Sequence, residues 1–198
     1  MNLHVSARCD MHAIRNSPAD YAVCWQTELS YKGYPDDVDD ADMAGLATAQ
    51  LWKIDNPPMG VPAVLDDVGH DLAGFCSMYD DNGFLLGGVE VSELGTSLLV
   101  ADRLSVSPEF RGNGFGLLLL AESINLLADI GGLVCCEPSP FELLGTSASP
   151  VDWELGKERL IRIWTEFGFS HWEDGMFYLD PGAEEVSANR ESIRSRFA

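Results

Sequence analysis

Apolar and polar positions alternate through Val23, Trp25, Thr27, Leu29 and Tyr31, the two-residue period of a strand lying on a core. A second strand is expected over 46–54, stopped by Asn56-Pro57-Pro58-Met59-Gly60. The period then changes. Val61, Leu65, Val68, Leu72, Phe75, Cys76 and Tyr79 recur at helical spacing, and Pro62 suits a first turn, so one amphipathic helix is expected over 61–79. After the turn Asp80-Asp81-Asn82-Gly83, strands are expected over 84–91 and 98–107, joined at Gly95. A second helix runs through Leu117, Leu120, Ala121, Ile124, Leu127 and Ala128 and ends at Gly131-Gly132. A short apolar strand, a loop over 141–152, a helix over 153–167 and one or two strands over 169–180 complete the pattern. Such alternation implies an α/β or α+β fold, a mixed sheet flanked by helices with at least one parallel strand pair.

Length and charge narrow this picture. The 198 residues suit one domain over 1–180, with 181–198 a polar tail or short helix. Asp and Glu number 32 against 12 Lys and Arg, a net charge of −20. A surface this acidic repels phosphate backbones, which disfavours nucleic acid as a partner and favours a cationic one. Five aspartates between Asp36 and Asp42 read as a solvated loop that also suits a cationic ligand. No stretch approaches a membrane span, and the first residues lack an apolar leader, so a soluble, cytoplasmic chain with no membrane partner is expected. Five cysteines without ligand-like spacing, and four scattered histidines, predict free thiols and no metal site.

The most informative stretch is Leu104-Ser105-Val106-Ser107-Pro108-Glu109-Phe110-Arg111-Gly112-Asn113-Gly114-Phe115-Gly116. A strand runs into a glycine-rich turn that opens a helix. Glycines let the backbone approach a ligand and expose its N–H groups, and the helix adds the positive end of its dipole, which together make an anion cradle suited to a pyrophosphate. The spacing fails the dinucleotide fingerprint, and no Lys supports a P-loop. What remains is Arg-x-x-Gly-x-Gly at Arg111, Gly114 and Gly116.

This pattern resembles the acetyl-CoA site of the Gcn5-related N-acetyltransferases. About fifty residues on, Ile163-Trp164-Thr165-Glu166-Phe167-Gly168-Phe169 is similar to that family's second signature. The likeness covers about 98–180, while the early region departs, with one helix after two strands where the family has one strand and then two helices. The resemblance implies an acyl-CoA N-acyltransferase-like fold with a V-splayed sheet and acetyl-CoA as co-substrate. It implies that the backbone of Leu104, Ser105 and Val106 pairs with the pantetheine arm. The N–H groups of Arg111, Gly112, Asn113, Gly114, Phe115 and Gly116 would hold the pyrophosphate, and the Val106 N–H would polarise the thioester carbonyl. Trp164 stands where the family commonly has a tyrosine acid, and would pack on the pantetheine arm or in the core. An indole cannot supply a proton, which leaves Tyr178 as a substitute acid, or a thiolate that departs unprotonated.

For the base, period-two alternation puts Asp102 on one face with Leu104 and Val106, and acidic residues at this offset serve as base in aminoglycoside-acetylating relatives. Glu90, Glu93 and Glu137 are lesser candidates. Cys135 and Cys136 point to opposite faces of their strand, with no Cys-His arrangement to support a covalent route. Trp25 and Trp52 are candidates to line the acceptor side. The expected activity is direct transfer of acetyl to a primary amine, small-molecule or peptide, in a ternary complex, and a homodimer is compatible with it. The alternatives are a catalytically silent CoA-binding module and an aminoacyl-tRNA-acetylating toxin.

Overall fold

A computed structural model describes residues 3–9, 17–31, 44–89, 97–129 and 131–197. The acidic run 36–42, Glu90, Glu93 and the Gly95 turn lie outside the described residues. Strands β1 (Leu3–Cys9), β2 (Ala22–Tyr31) and β3 (Ala44–Asp55) come first, then helices α1 (Val61–Val68) and α2 (His70–Ala73). Next are β4 (Ser97–Val106), α3 (Phe115–Leu127), β5 (Leu133–Cys136) and α4 (Pro150–Phe167). The chain finishes with β6 (Ser170–His171), β7 (Phe177–Leu179) and α5 (Glu184–Ser195). The strands form one seven-stranded sheet in the order β1-β2-β3-β4-β5-β7-β6. Among the described residues only β4 and β5 pair in parallel, joined through α3, and the other strand pairings are antiparallel. The expected fold class, a mixed sheet flanked by helices, is the one observed.

The sheet separates two cores. On one face α3 inserts Leu119, Leu120 and Ile124 against Leu29, Leu51, Leu99 and Val134, and α4 and α5 add Trp164, Phe167 and Ile193. Nine of the 13 residues of α3 are buried. On the other face α1 and the turn after α2 bury Val64, Leu65 and Met78 against Ile54, Leu98, Val100 and Cys135. Cys135 and Cys136 therefore serve opposite cores, as alternation predicts.

Several expectations are corrected. The helix expected over 61–79 is broken at Gly69, whose φ of 130° no helix accepts, and it closes as a 3-10 turn over Gly74–Met78. No strand forms over the described part of 84–91. Leu85 makes one isolated bridge to Tyr79, and Phe84 is 71% exposed because Asp80 turns the chain by accepting the N–H groups of Asn82 and Phe84. β1 was not anticipated, although Leu3, Val5, Ala7 and Cys9 alternate with polar residues. α4 starts three residues early because Ser149 and Asp152 cap each other reciprocally and Pro150 opens the first turn.

Candidate active site

β4 changes character halfway. Leu98 to Ala101 pair with Leu133 to Cys136 on one side and with β3 on the other. β5 then ends at Cys136, and β4 continues to Val106 beside β3 alone. The sheet is thus splayed from Asp102 onward. Ser107 donates its N–H to Leu46 O, so strand alternation turns the backbone polar groups of Arg103 and Ser105 toward β3. Those of Leu104 and Val106 face the split. Ser105 accordingly offers no backbone group there, and its side chain lies on the opposite, solvent-facing wall.

A bulge sits where the splay begins. Gln50 pairs with Arg103 and Leu51 with Ala101, leaving Asp102 as the extra residue of β4. The bulge reverses the alternation. Leu104 and Val106 pack with the α3 core, whereas Asp102 lies on the other face. The expectation that Asp102 shares a face with Leu104 and Val106 is therefore corrected, because plain period-two counting does not survive an inserted residue. The Asp102 carboxylate is held at the mouth of the split: it accepts from Gln50 Nε2 at 2.9 Å and Trp52 Nε1 at 3.3 Å, and Arg103 Nε stands 3.8 Å away. Its side chain is 11% exposed.

Past Val106 the chain makes the glycine turn. Gly112 and Gly114 have φ of 79° and 83°, the left-handed region that glycine alone enters at little cost. Gly114 is the N-cap of α3 and supplies no side chain to its first N–H groups. The first turn therefore offers unsatisfied donors and the positive dipole end to an incoming anion. A Cβ at Gly112 would meet only open space, whereas one at Gly116 would strike Val106 Cγ2 at 2.9 Å, so glycine there lets α3 close on β4. Arg111 and Asn113 shape the turn with their side chains. Asn113 Nδ2 donates to Phe110 O and Arg111 O. Arg111 Nε donates to Val106 O at 3.1 Å and Nη1 lies 3.3 Å from Glu142, so one guanidinium spans from the end of β4 to the loop beyond β5. Phe115 is buried between Phe110 and Phe197, so only its backbone is available to a ligand. The backbone and dipole of this turn fit a pyrophosphate.

The remaining candidates lie elsewhere. Trp164 is 6% exposed and packs edge-on against Phe169 in the α3-side core. Tyr178 is buried on the other face and donates its hydroxyl to Gly88 O. Glu137 is exposed just past β5. Burial pushes the thiols of Cys135 and Cys136 well above the ordinary range, which keeps them protonated and poorly nucleophilic. Trp25 packs on the α3 side, away from Asp102, while Trp52 points to it. Gln50, which with Trp52 orients the candidate carboxylate, escaped the sequence reading, and Trp52 was expected only to line the acceptor side. The available signal was the alternation of Thr48, Gln50 and Trp52 with the apolar Ala47, Ala49 and Leu51. Among the described residues no group of three His, Cys, Asp or Glu is arranged to hold a metal ion, and no helix is long and apolar enough to cross a membrane.

No protein-family model matches this chain, and no curated protein matches it in sequence. Three solved structures are similar in shape. A KacTA–DNA complex gives a TM-score of 0.39 at 13% identity, over 88% of this chain and 72% of that one. A Tyr-to-Phe mutant of KacT gives 0.38 at 13% identity, over 87% and 74%. A Tyr-to-Phe mutant of the toxin AtaT, bound to the C-terminus of the antitoxin AtaR and to acetyl-CoA, gives 0.38 at 10% identity over 98% of both chains. One of these assemblies contains DNA and another an antitoxin segment, so the expectation that nucleic acid is disfavoured as a partner is withdrawn. Net charge alone does not decide it.

Proposed function

We propose that this protein is an N-acetyltransferase of the Gcn5-related kind, moving an acetyl group from acetyl-CoA to a primary amine. The observation that carries this reading is continuity. An open strand edge with inward-facing Leu104 and Val106 backbone groups leads directly into a glycine cradle at a helix N-terminus. An extended amide-bearing arm ending in a pyrophosphate matches that sequence of donors and acceptors.

Bound acetyl-CoA supplies an activated acyl carbonyl at the mouth of the split. In the reaction the neutral amine nitrogen attacks that carbonyl carbon, a C–N bond forms, the C–S bond breaks, and sulfur leaves as the thiolate. Asp102 is the group that takes the amine proton, held for the task by Gln50 and Trp52. The Val106 N–H, with that of Leu104, is the donor available to the developing oxyanion. No side-chain acid is assigned, since Trp164 is packed in the core and Tyr178 is bonded to a carbonyl. A thiolate is a fair leaving group without one.

Calorimetric titration of acetyl-CoA, CoA and NAD tests the reading. Binding of the first two and not the third is the expected result. No binding of any of them rejects the cradle and the enzyme together, while binding without turnover over a broad amine panel favours a silent CoA-binding module.

A further inference from the structure

A cavity of about 350 Å³ lies on the face of β1 to β4 turned away from α3, and Gln50, which donates to Asp102, lines it. Its floor is a ladder in register. Arg8 pairs with Gln26, Gln26 with Gln50, and Gln50 with Arg103, so one row across four strands reads Arg, Gln, Gln, Arg. Two residues along, Glu28 stands opposite Ser6 on one side and Thr48 on the other. No lining side chain is aliphatic beyond Ala49, and none is aromatic. An apolar amine would leave these amides, hydroxyls and charges without partners, so the cavity suits a ligand that returns hydrogen bonds.

Two charges in it are uncommitted. Arg8 is fixed by Nε and Nη2 donating to Gln26 Oε1 at 3.2 and 2.9 Å, and has no carboxylate partner among the described residues. Glu28 makes no described ion pair, and its Oε1 reaches over the bare backbone of Gly45, 3.2 Å from where a Cβ would stand. The two are diagonal neighbours on adjacent strands, roughly 7 Å apart at the backbone, yet unpaired with each other. Among the described residues no carboxylate takes the Arg8 guanidinium, so a ligand carboxylate can pair with it on the cavity wall.

We propose that this cavity seats the acceptor of the acetyl transfer and that the acceptor is a diamino acid, of the lysine or ornithine type. The inference rests on the transferase reading for the fate of the ligand. The α-carboxylate pairs with Arg8 and the α-ammonium with Glu28. The second amine, on its methylene arm, points along the Gln26–Gln50 row toward Asp102, whose carboxylate Gln50 holds. A diamine without the carboxylate would leave Arg8 unpaired and meet its charge.

Lysine and cadaverine differ only in that carboxylate, so they are the probes. Each is titrated into the full chain by calorimetry, with and without acetyl-CoA. Lysine is expected to bind at least about tenfold more tightly. Arg8→Ala should erase that preference, Arg8→Lys should restore part of it, and Glu28→Gln should weaken both ligands. Arg8 is exposed and Glu28 half-buried, and circular dichroism checks that each variant folds. Equal or tighter binding of cadaverine, or a preference that survives Arg8→Ala, overturns the assignment. Acetyl-CoA binding in the same samples separates the two readings: if it binds and lysine does not, the diamino-acid seat falls and the transferase stands. If it does not bind, the transferase falls, and the lysine-to-cadaverine comparison still decides the seat.

Discussion

The two halves of β4 are built for different ends. From Leu98 to Ala101 every backbone group has a strand beside it, and Leu98, Leu99 and Val100 are at most 2% exposed. From Asp102 to Val106 one edge is bare, side chains are partly exposed, and the first residue is a bulge. The paired half holds two cores together. The bare half has donors and acceptors to spare, and that is where a ligand can enter the sheet as if it were a strand. Withdrawing one neighbour from a central strand creates a binding edge without sacrificing the strand's anchorage.

The contrast can be broken from either side. Truncating the paired half has the largest expected effect: Leu99→Ala should cost about 2–5 kcal/mol in urea unfolding, because Leu99 lies between β3, β5 and α3. Acetyl-CoA affinity at a temperature where the variant is folded should be little changed. In the bare half the order of effects reverses. Asp102→Asn should keep both stability and acetyl-CoA affinity but lower turnover by about 10²-fold or more, read as kcat with KM for acetyl-CoA unchanged. Unchanged turnover would remove Asp102 from the mechanism. Gly114→Val places a branched side chain at φ 83° against Phe197, and should weaken acetyl-CoA binding by at least about tenfold in calorimetry. Undiminished affinity would undo the cradle assignment.

The smallest effect lies off the strand. Ser149→Ala removes the hydroxyl that accepts from Asp152 N and should lower the melting temperature by a few degrees at neutral pH. Hydrogen bonds from Ser149, side chain first and then backbone, hold the Asp152 carboxyl below its ordinary value. A depressed carboxyl stabilises the fold fully above its unfolded value near pH 4 and loses that contribution as pH falls through the folded one. The gap between variant and parent in a melting series should therefore narrow below about pH 4, with no change in activity attributable to β4.

Much of this was legible in the residues. The glycine turn, the strand before it and the helix after it all stand where the pattern from Leu104 to Leu127 puts them, because punctuation by Gly and Pro is local. The face of Asp102 was not legible. A bulge depends on the register of β3 against β4, which only tertiary pairing sets, and one extra residue inverts every later assignment on the strand. Trp164 shows the limit of motif position: it sits at the signature's acid site, yet its indole is packed against Phe169. The polar ladder from Arg8 to Arg103 was invisible for a different reason. Its members come from four separate strands, and none is unusual alone.

The placing of the glycine turn on α3 has a dynamic consequence. α3 is sandwiched between the sheet and α5, pinned by Arg190 and Arg194 on Glu122 and by Phe197 on Phe115. Its amides should exchange with deuterium only on global unfolding, at the slow end for this molecule. The turn inherits that stillness, so an anion settling there finds its donors already aimed. Little ordering entropy is then lost on association, and affinity comes from electrostatics that exist before the ligand arrives.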